Sequence, residues 1–237
     1  MLYLIYGKDG DGAVSYEIGD GSWVNWWYGY PFEFKGAHWY AGFSWMSPEK
    51  FGEDADRPDT PATTVAIGQA TFRQAAPGAA KPWTQVDTDG YVGEFGAYGK
   101  AAEVDGKREP LRFDTADGRM LLAVPTRSFG RGVTSLGYAL FVFDPDRVAP
   151  LRNGRWAYVG SLAAGEHNAE ACDGGRVMPC TSSTGALDFR SAADGGLPTI
   201  AVKLSGDTID RPGGTRRLGE QDTVHYRFDG RQSAYAR

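Results

Sequence analysis

Strand-like runs recur about every 10–20 residues along this chain, separated by clusters of glycine, proline and aspartate. Val65–Phe72, Arg119–Pro125, Tyr138–Phe143, Trp156–Leu162, Thr199–Leu204 and Thr223–Phe228 are the clearest of them. No stretch carries a 3.6-residue apolar period beyond about two turns, which argues against long amphipathic helices. Thr199–Leu204 and Thr223–Phe228 alternate as half-buried antiparallel strands do, whereas Arg119–Pro125 suits a central strand covered on both faces. The chain is therefore expected to be all-β, with antiparallel sheets in a sandwich or propeller-like arrangement and one short helical turn at most. Gly165–Ala171 is the segment that suits that turn. Glycine supplies 33 of the 237 residues, roughly twice the usual ~7%; without a Gly-X-Y period the excess speaks for frequent turns. One domain over residues 1–237 is the expected organisation, since a β domain of this length buries a full core.

Two turn signals share a pattern: Asp9-Gly10-Asp11-Gly12 and Asp87-Thr88-Asp89-Gly90. Asp-Gly favours a hairpin turn, and both tetrapeptides lie between β-prone runs. Asp-x-Asp-Gly also gathers two carboxylates around a tight turn, as calcium sites do. The pattern resembles the short acidic loop of FG-GAP-type β-propeller repeats, which makes Asp9, Asp11, Asp87 and Asp89 candidate calcium ligands. Ser15 and Glu17 miss the spacing of an EF-hand's later ligands. Plain hairpin turns, and no cofactor, are expected.

Residues 22–46 concentrate the aromatic side chains, with five of the seven tryptophans between Trp23 and Trp45. Phe32, Phe34 and, beyond a Lys35-Gly36 turn, Trp39, Phe43 and Trp45 fit a hairpin with one buried face. Tyr28, Tyr30 and Tyr40 are expected on the other face. These rings either fill a β core or leave a surface around Trp26, Trp27 and Tyr28 that stacks on sugars or anchors a protein. His38, beside Trp39, suits a loop or an interface equally. The acidic, proline-bearing stretch Glu49–Thr64 reads as a long loop.

Cys172 and Cys180 are the only cysteines, and Gly174, Gly175 and Pro179 lie between them. Such a segment turns tightly, so a disulfide closing a surface loop is expected. Disulfides persist in oxidising compartments, which points to a periplasmic or secreted protein, the alternative being a cytosolic chain with two reduced thiols. Met1–Tyr6 has neither a basic n-region nor a cleavage site, so on this reading a signal peptide has been removed. No apolar run approaches the ~18 residues of a transmembrane helix. A net charge of −5 lacks the basic footprint that a nucleic acid requires and weakly favours a basic partner.

Catalytic signatures are missing. His38, His167 and His225 each lack a second metal ligand at short spacing. No Gly-x-Ser-x-Gly elbow occurs, and no phosphate-cradling glycine loop opens a helix. Glu166, His167 and Glu170, in Gly165-Glu166-His167-Asn168-Ala169-Glu170, could serve as an acid–base set. The same residues suit an exposed polar loop stiffened by the disulfide, and a non-catalytic protein is expected.

A glycine- and aromatic-rich, exported β chain with one small disulfide loop resembles bacterial periplasmic inhibitors. These are the lysozyme inhibitors and the immunity proteins that neutralise toxic effectors from neighbouring cells. Tyr226-Arg227-Phe228-Asp229-Gly230, with Tyr235 after it, is similar to terminal strands in such proteins and in FG-GAP-like modules. The resemblance implies a protein partner, a toxin effector or lysozyme-like enzyme, whose catalytic carboxylates a polar loop side chain would enter. Glu166, His167, Asn168 and Glu170 are the candidates, because a preformed loop loses less entropy on binding. The alternative is a secreted carbohydrate-binding or glycan-cleaving protein that uses residues 23–45 around Trp26 and Trp27.

Overall fold

The computed structural model describes residues 1–19, 21–50, 60–75, 78–147 and 154–237; most of the long loop expected at 49–64 lies outside them. The protein is all-β and its strand pairings are antiparallel. The chain divides into two compact units, Met1–Ala102 with Pro145–Tyr158, and Glu103–Asp144 with Val159–Arg237.

Five strands in sequence order form the sheet of the first unit: β1 (Ser15–Glu17), β2 (Trp23–Phe34), β3 (Ala37–Ser47), β4 (Val65–Gln74) and β5 (Trp83–Phe95). Lys35 and Gly36 join β2 to β3 with φ of 49° and 70°, the two left-handed residues that match a turn to the twist of its strands. Phe32, Phe34, Trp39 and Phe43 are buried on one face, as expected. The fully buried Trp156 meets Phe32 and Phe43 edge-on at 5.9 and 5.1 Å.

Two bulges change what the sheet presents. Trp27 is an extra residue between the pairs Trp26↔Ser44 and Tyr28↔Phe43. One inserted residue reverses strand parity, so Trp26 lies on the face opposite Tyr28, Tyr30 and Phe32. Tyr28 and Tyr30 thus share the Phe32 face, contrary to expectation. Their rings continue a stack of Tyr28, Tyr30, Phe32 and Trp39 with centroids 6.3, 5.5 and 6.3 Å apart. Tyr40 does occupy the other face. In β5, residues 90–92 together oppose Gly68, between the pairs Ile67↔Gly93 and Gln69↔Asp89. Asp87-Thr88-Asp89-Gly90 is therefore part of a bulged, continuous strand and not a hairpin turn.

The first acidic tetrapeptide also departs from the hairpin expectation. The β-prone residues before it form a helix, α1 (Leu2–Tyr6), ended by Gly7 at φ 75°. Packing outweighs propensity here: the Tyr6 hydroxyl reaches Ser44 Oγ at 2.9 Å, and Gly68 leaves room for Ile5 and Tyr6 over the sheet.

The second unit holds β6 (Glu103–Val104), β7 (Leu111–Asp114), β8 (Met120–Gly130), β9 (Val133–Phe143) and most of β10 (Trp156–His167). The order is β10-β9-β8, with β6 and β7 both on the far edge of β8. Met120 to Val124 are buried at every position, so both faces of β8 are covered. Pro125, which has no N–H to donate, falls between the stretches of β8 that pair with β7 and with β6. Pairing of β8 with β9 continues to Gly130↔Val133, so a two-residue turn, Arg131-Gly132, joins them. A further sheet has β11 (Ser183–Arg190), β12 (Thr199–Arg211), β14 (Val224–Asp229) and β15 (Ala234–Ala236) in that order, with β13 (Gly214–Arg217) on β12. Phe113 of β7 meets Phe189 of β11 at 5.7 Å. The helical turn expected at 165–171 is not there: β10 runs on to His167, and a single 3-10 turn follows at Asp173–Gly175.

Candidate functional site

Cys172 and Cys180 form a disulfide with their Cα atoms 5.1 Å apart, and the loop they bound belongs to the second unit. The end of β10 delivers it. Gly165, at φ 110°, brings β10 so near β11 that a Cβ there would stand 2.4 Å from the Ser183 carbonyl oxygen. The buried Ser183 hydroxyl then accepts the Glu166 N–H at 3.0 Å. Glu166 and His167 accordingly close a strand instead of lying in a loop, Glu166 exposed and His167 half-buried in a bridge to Ser182.

Asn168 is buried, and both ends of its amide are engaged. Nδ2 donates to the Pro179 carbonyl at 2.9 Å, and Oδ1 accepts the Thr181 N–H at 2.7 Å. Its side chain therefore holds the returning arm of the loop. Ala171 N–H donates to the Gly132 carbonyl at 3.0 Å, tying the loop to the β8–β9 hairpin. Arg176 pairs with Asp173 at 2.6 Å inside the loop. The tip is apolar and open: Val177 is 67% exposed and Met178 36%, while Phe129, in the hairpin that anchors the loop, is 62% exposed. The sequence carried a signal for this tip, because Val-Met within a glycine-rich loop is not the composition of a segment that only meets water.

The remaining candidates lie in the first unit. Trp27 is half-buried and packed inward: its indole N–H donates to the Ala102 carbonyl at 2.8 Å and its ring meets Phe95 edge-on at 5.0 Å. Tyr28 belongs to the ring stack. His38 is exposed, directly across from Glu33. Trp26, on the opposite face, lines a cleft with Tyr40, Tyr16 and Asp9. Asp9 Oδ1 accepts the Asp11 N–H at 3.0 Å. Asp87 Oδ2 accepts from Gln69 Nε2 at 2.9 Å and from the Arg155 N–H at 2.7 Å, and Asp89 accepts from Tyr91 and Gly154. These carboxylates satisfy backbone donors. Among the described residues no three His, Cys, Asp or Glu side chains converge on a point that could hold a metal ion. Among the same residues, no helix is long and apolar enough to cross a membrane. Of the named candidates, Trp26 and Asp9 line the cleft of the first unit, while Glu166, His167, Asn168 and Glu170 lead into the stapled loop of the second.

No protein-family model, curated protein or solved structure matches the chain.

Proposed function

We propose that this chain is a non-catalytic protein of an oxidising, extracytoplasmic compartment, an inhibitor or immunity protein that blocks a cell-wall-attacking toxin or lysozyme-like enzyme with the Cys172–Cys180 loop. One observation carries the reading. Val177 and Met178 are held open to solvent on a segment fastened by a disulfide, by the Asn168 amide and by the Ala171–Gly132 hydrogen bond. A segment already ordered loses little freedom on docking, and apolar anchors entering a pocket supply most of the affinity of such contacts. The exposed carboxylates of Glu166 and Glu170 flank the loop and suit a basic partner, as does the net charge of −5.

The test is peptidoglycan hydrolysis by a panel of muramidases and amidases, each assayed with the pure protein in excess. Inhibition of at least one is expected. Val177→Asp, Met178→Asp and Glu166→Ala should each weaken it about tenfold or more without moving the melt. Unimpeded hydrolysis across the panel rejects the reading. So does peptidoglycan turnover by the protein itself that disappears in Glu166→Gln.

A further inference from the structure

We infer a second binding site, for a pyranose ring of a saccharide, in the aromatic cleft of the first unit. It is independent of the loop and does not rest on the inhibitor reading.

The cleft is built on a floor of glycine. Gly29 and Gly42 are directly paired across β2 and β3. A Cβ on Gly42 would stand 2.8 Å from the Trp26 ring, and one on Gly29 would stand 2.3 Å from the Tyr40 hydroxyl. With both side chains absent, the Trp26 ring, the Tyr40 hydroxyl and the Met1 methyl group approach the sheet closely. The bulge at Trp27 is what sends Trp26 to this face. Tyr16 forms a wall: its ring packs where Gly10 has no Cβ, and its hydroxyl donates to the Lys8 carbonyl at 2.7 Å. Tyr3, Val14 and Asp9 complete the rim of a cleft of about 320 Å³, near the lower bound of small-molecule sites.

The polar groups choose the ligand. The Tyr40 hydroxyl and the Trp26 indole N–H have no hydrogen-bond partner among the described residues. Asp9 commits one carboxylate oxygen to the Asp11 N–H. Burial raises the Tyr16 pKa, and the nearby Asp9 charge raises it further, so its hydroxyl stays protonated. Aromatic rings beside two unpartnered donors and a carboxylate acceptor fit a sugar, whose C–H face stacks while its hydroxyls donate and accept. A wholly apolar ligand would leave those groups unpaired on closing the cleft, and a phosphate or carboxylate would meet Asp9.

The probes are N-acetylglucosamine tetramer, cellotetraose and maltotetraose, followed by isothermal titration and saturation-transfer NMR. At least one should bind with a millimolar or tighter Kd. Trp26→Ala should weaken it about tenfold or more. Because that change also removes packing, two gentler variants accompany it. Tyr40→Phe removes only the hydroxyl and should weaken binding about threefold or more with an unchanged melt. Val14→Trp, at an exposed rim position, should fill the cleft and abolish binding. Trp83→Ala, at an exposed tryptophan outside the cleft, should bind as wild type. The inference is overturned if none of the three sugars binds at millimolar concentration. It is also overturned if Tyr40→Phe and Val14→Trp both bind like wild type, or if the loss follows Trp83→Ala.

Discussion

Asp87 and Arg155, 68 positions apart, meet through one oxygen: Asp87 Oδ2 accepts the Arg155 backbone N–H at 2.7 Å. The same oxygen takes Gln69 Nε2 at 2.9 Å, Gln69 Oε1 takes the Thr71 hydroxyl at 2.6 Å, and Thr71 Oγ1 takes the Trp156 indole N–H at 3.0 Å. Gln69 and Thr71 are fully buried. The chain of bonds joins β4 and β5 to the segment that carries Trp156 into the aromatic core, so the buried Gln69, Thr71 and Trp156 side chains are hydrogen-bonded there.

Asp87→Ala removes the acceptor at the end of that chain and strands two donors. A cost of about 2–3 kcal/mol is expected, and about 1 kcal/mol for Asp87→Asn, which keeps an acceptor oxygen. All seven tryptophans lie in the first unit, so urea denaturation followed by tryptophan fluorescence reads the effect where it arises. Equal midpoints for wild type and Asp87→Ala would show that the relay contributes nothing.

The same bonds bear on calcium. A cation at Asp87 and Asp89 would displace the Gln69 amide and the N–H groups of Tyr91, Gly154 and Arg155. Melts with calcium and with EDTA should therefore coincide. A calcium-dependent rise in Tm that Asp89→Asn abolishes would reverse this account.

Acid should weaken the second unit. Asp222 faces Arg216 through two bonds of 2.6 and 2.9 Å, and this contact, followed by the Gly219 N–H, lowers its pKa from 3.8 to about 2. Arg119 lowers Asp117 in the same way. For Asp105, burial acts upward, yet the Arg108 contact and the Lys107 N–H leave it below the ordinary value. The folded chain binds these protons more weakly than the unfolded one. Their contribution is thus complete above about pH 4 and disappears as the pH falls toward about 2. Tm measured by circular dichroism should drop across that interval. Asp222→Asn should start lower at pH 7 and fall less steeply; a slope identical to wild type would assign the acid sensitivity elsewhere.

What the sequence revealed was local. Lys35-Gly36 announces its turn through the glycine, which adopts φ 70° without strain between two aromatic runs. Met120 to Val124 announces a covered strand by lacking any polar position. The cysteines likewise name their own bond. What stayed hidden depends on partners remote in sequence. Nothing near Trp27 marks it as the inserted residue; its place is decided by Phe43, Phe95 and the Ala102 carbonyl. That insertion alone moves Trp26 away from Tyr28 and creates the cleft. Asp-x-Asp-Gly reads as a turn in both copies, but the second is held straight by Gly154 and Arg155. Leu2–Tyr6 has strand-like composition and becomes helical because Ser44 and the gap over Gly68 accept Tyr6 and Ile5. At the loop, Asn168 looks like any polar surface residue until Pro179 and Thr181 fold back onto it.

Asn168 offers the sharpest separation of loop stiffness from loop composition. Its two amide bonds, to the Pro179 carbonyl and the Thr181 N–H, hold the return arm without touching the exposed tip. Asn168→Ala leaves two part-buried backbone groups without this partner, at a cost of about 1–2 kcal/mol concentrated in this segment, while the disulfide persists. Arg176 is exposed next to Val177, so trypsin can report the loosening directly. Cleavage after Arg176 requires the loop to leave its folded course, and its rate follows the population of that opened state. The wild-type loop should resist under native conditions, and Asn168→Ala should be cut at least tenfold faster, the two fragments staying joined until a reductant is added. Asn168→Asp should behave similarly, since its carboxylate still accepts from Thr181 but repels the Pro179 carbonyl. If the inhibitor reading holds, Asn168→Ala should also weaken inhibition with Val177 and Met178 intact, because an unfastened tip must be ordered on docking. Equal cleavage rates in wild type and Asn168→Ala would mean that the disulfide alone stiffens the loop.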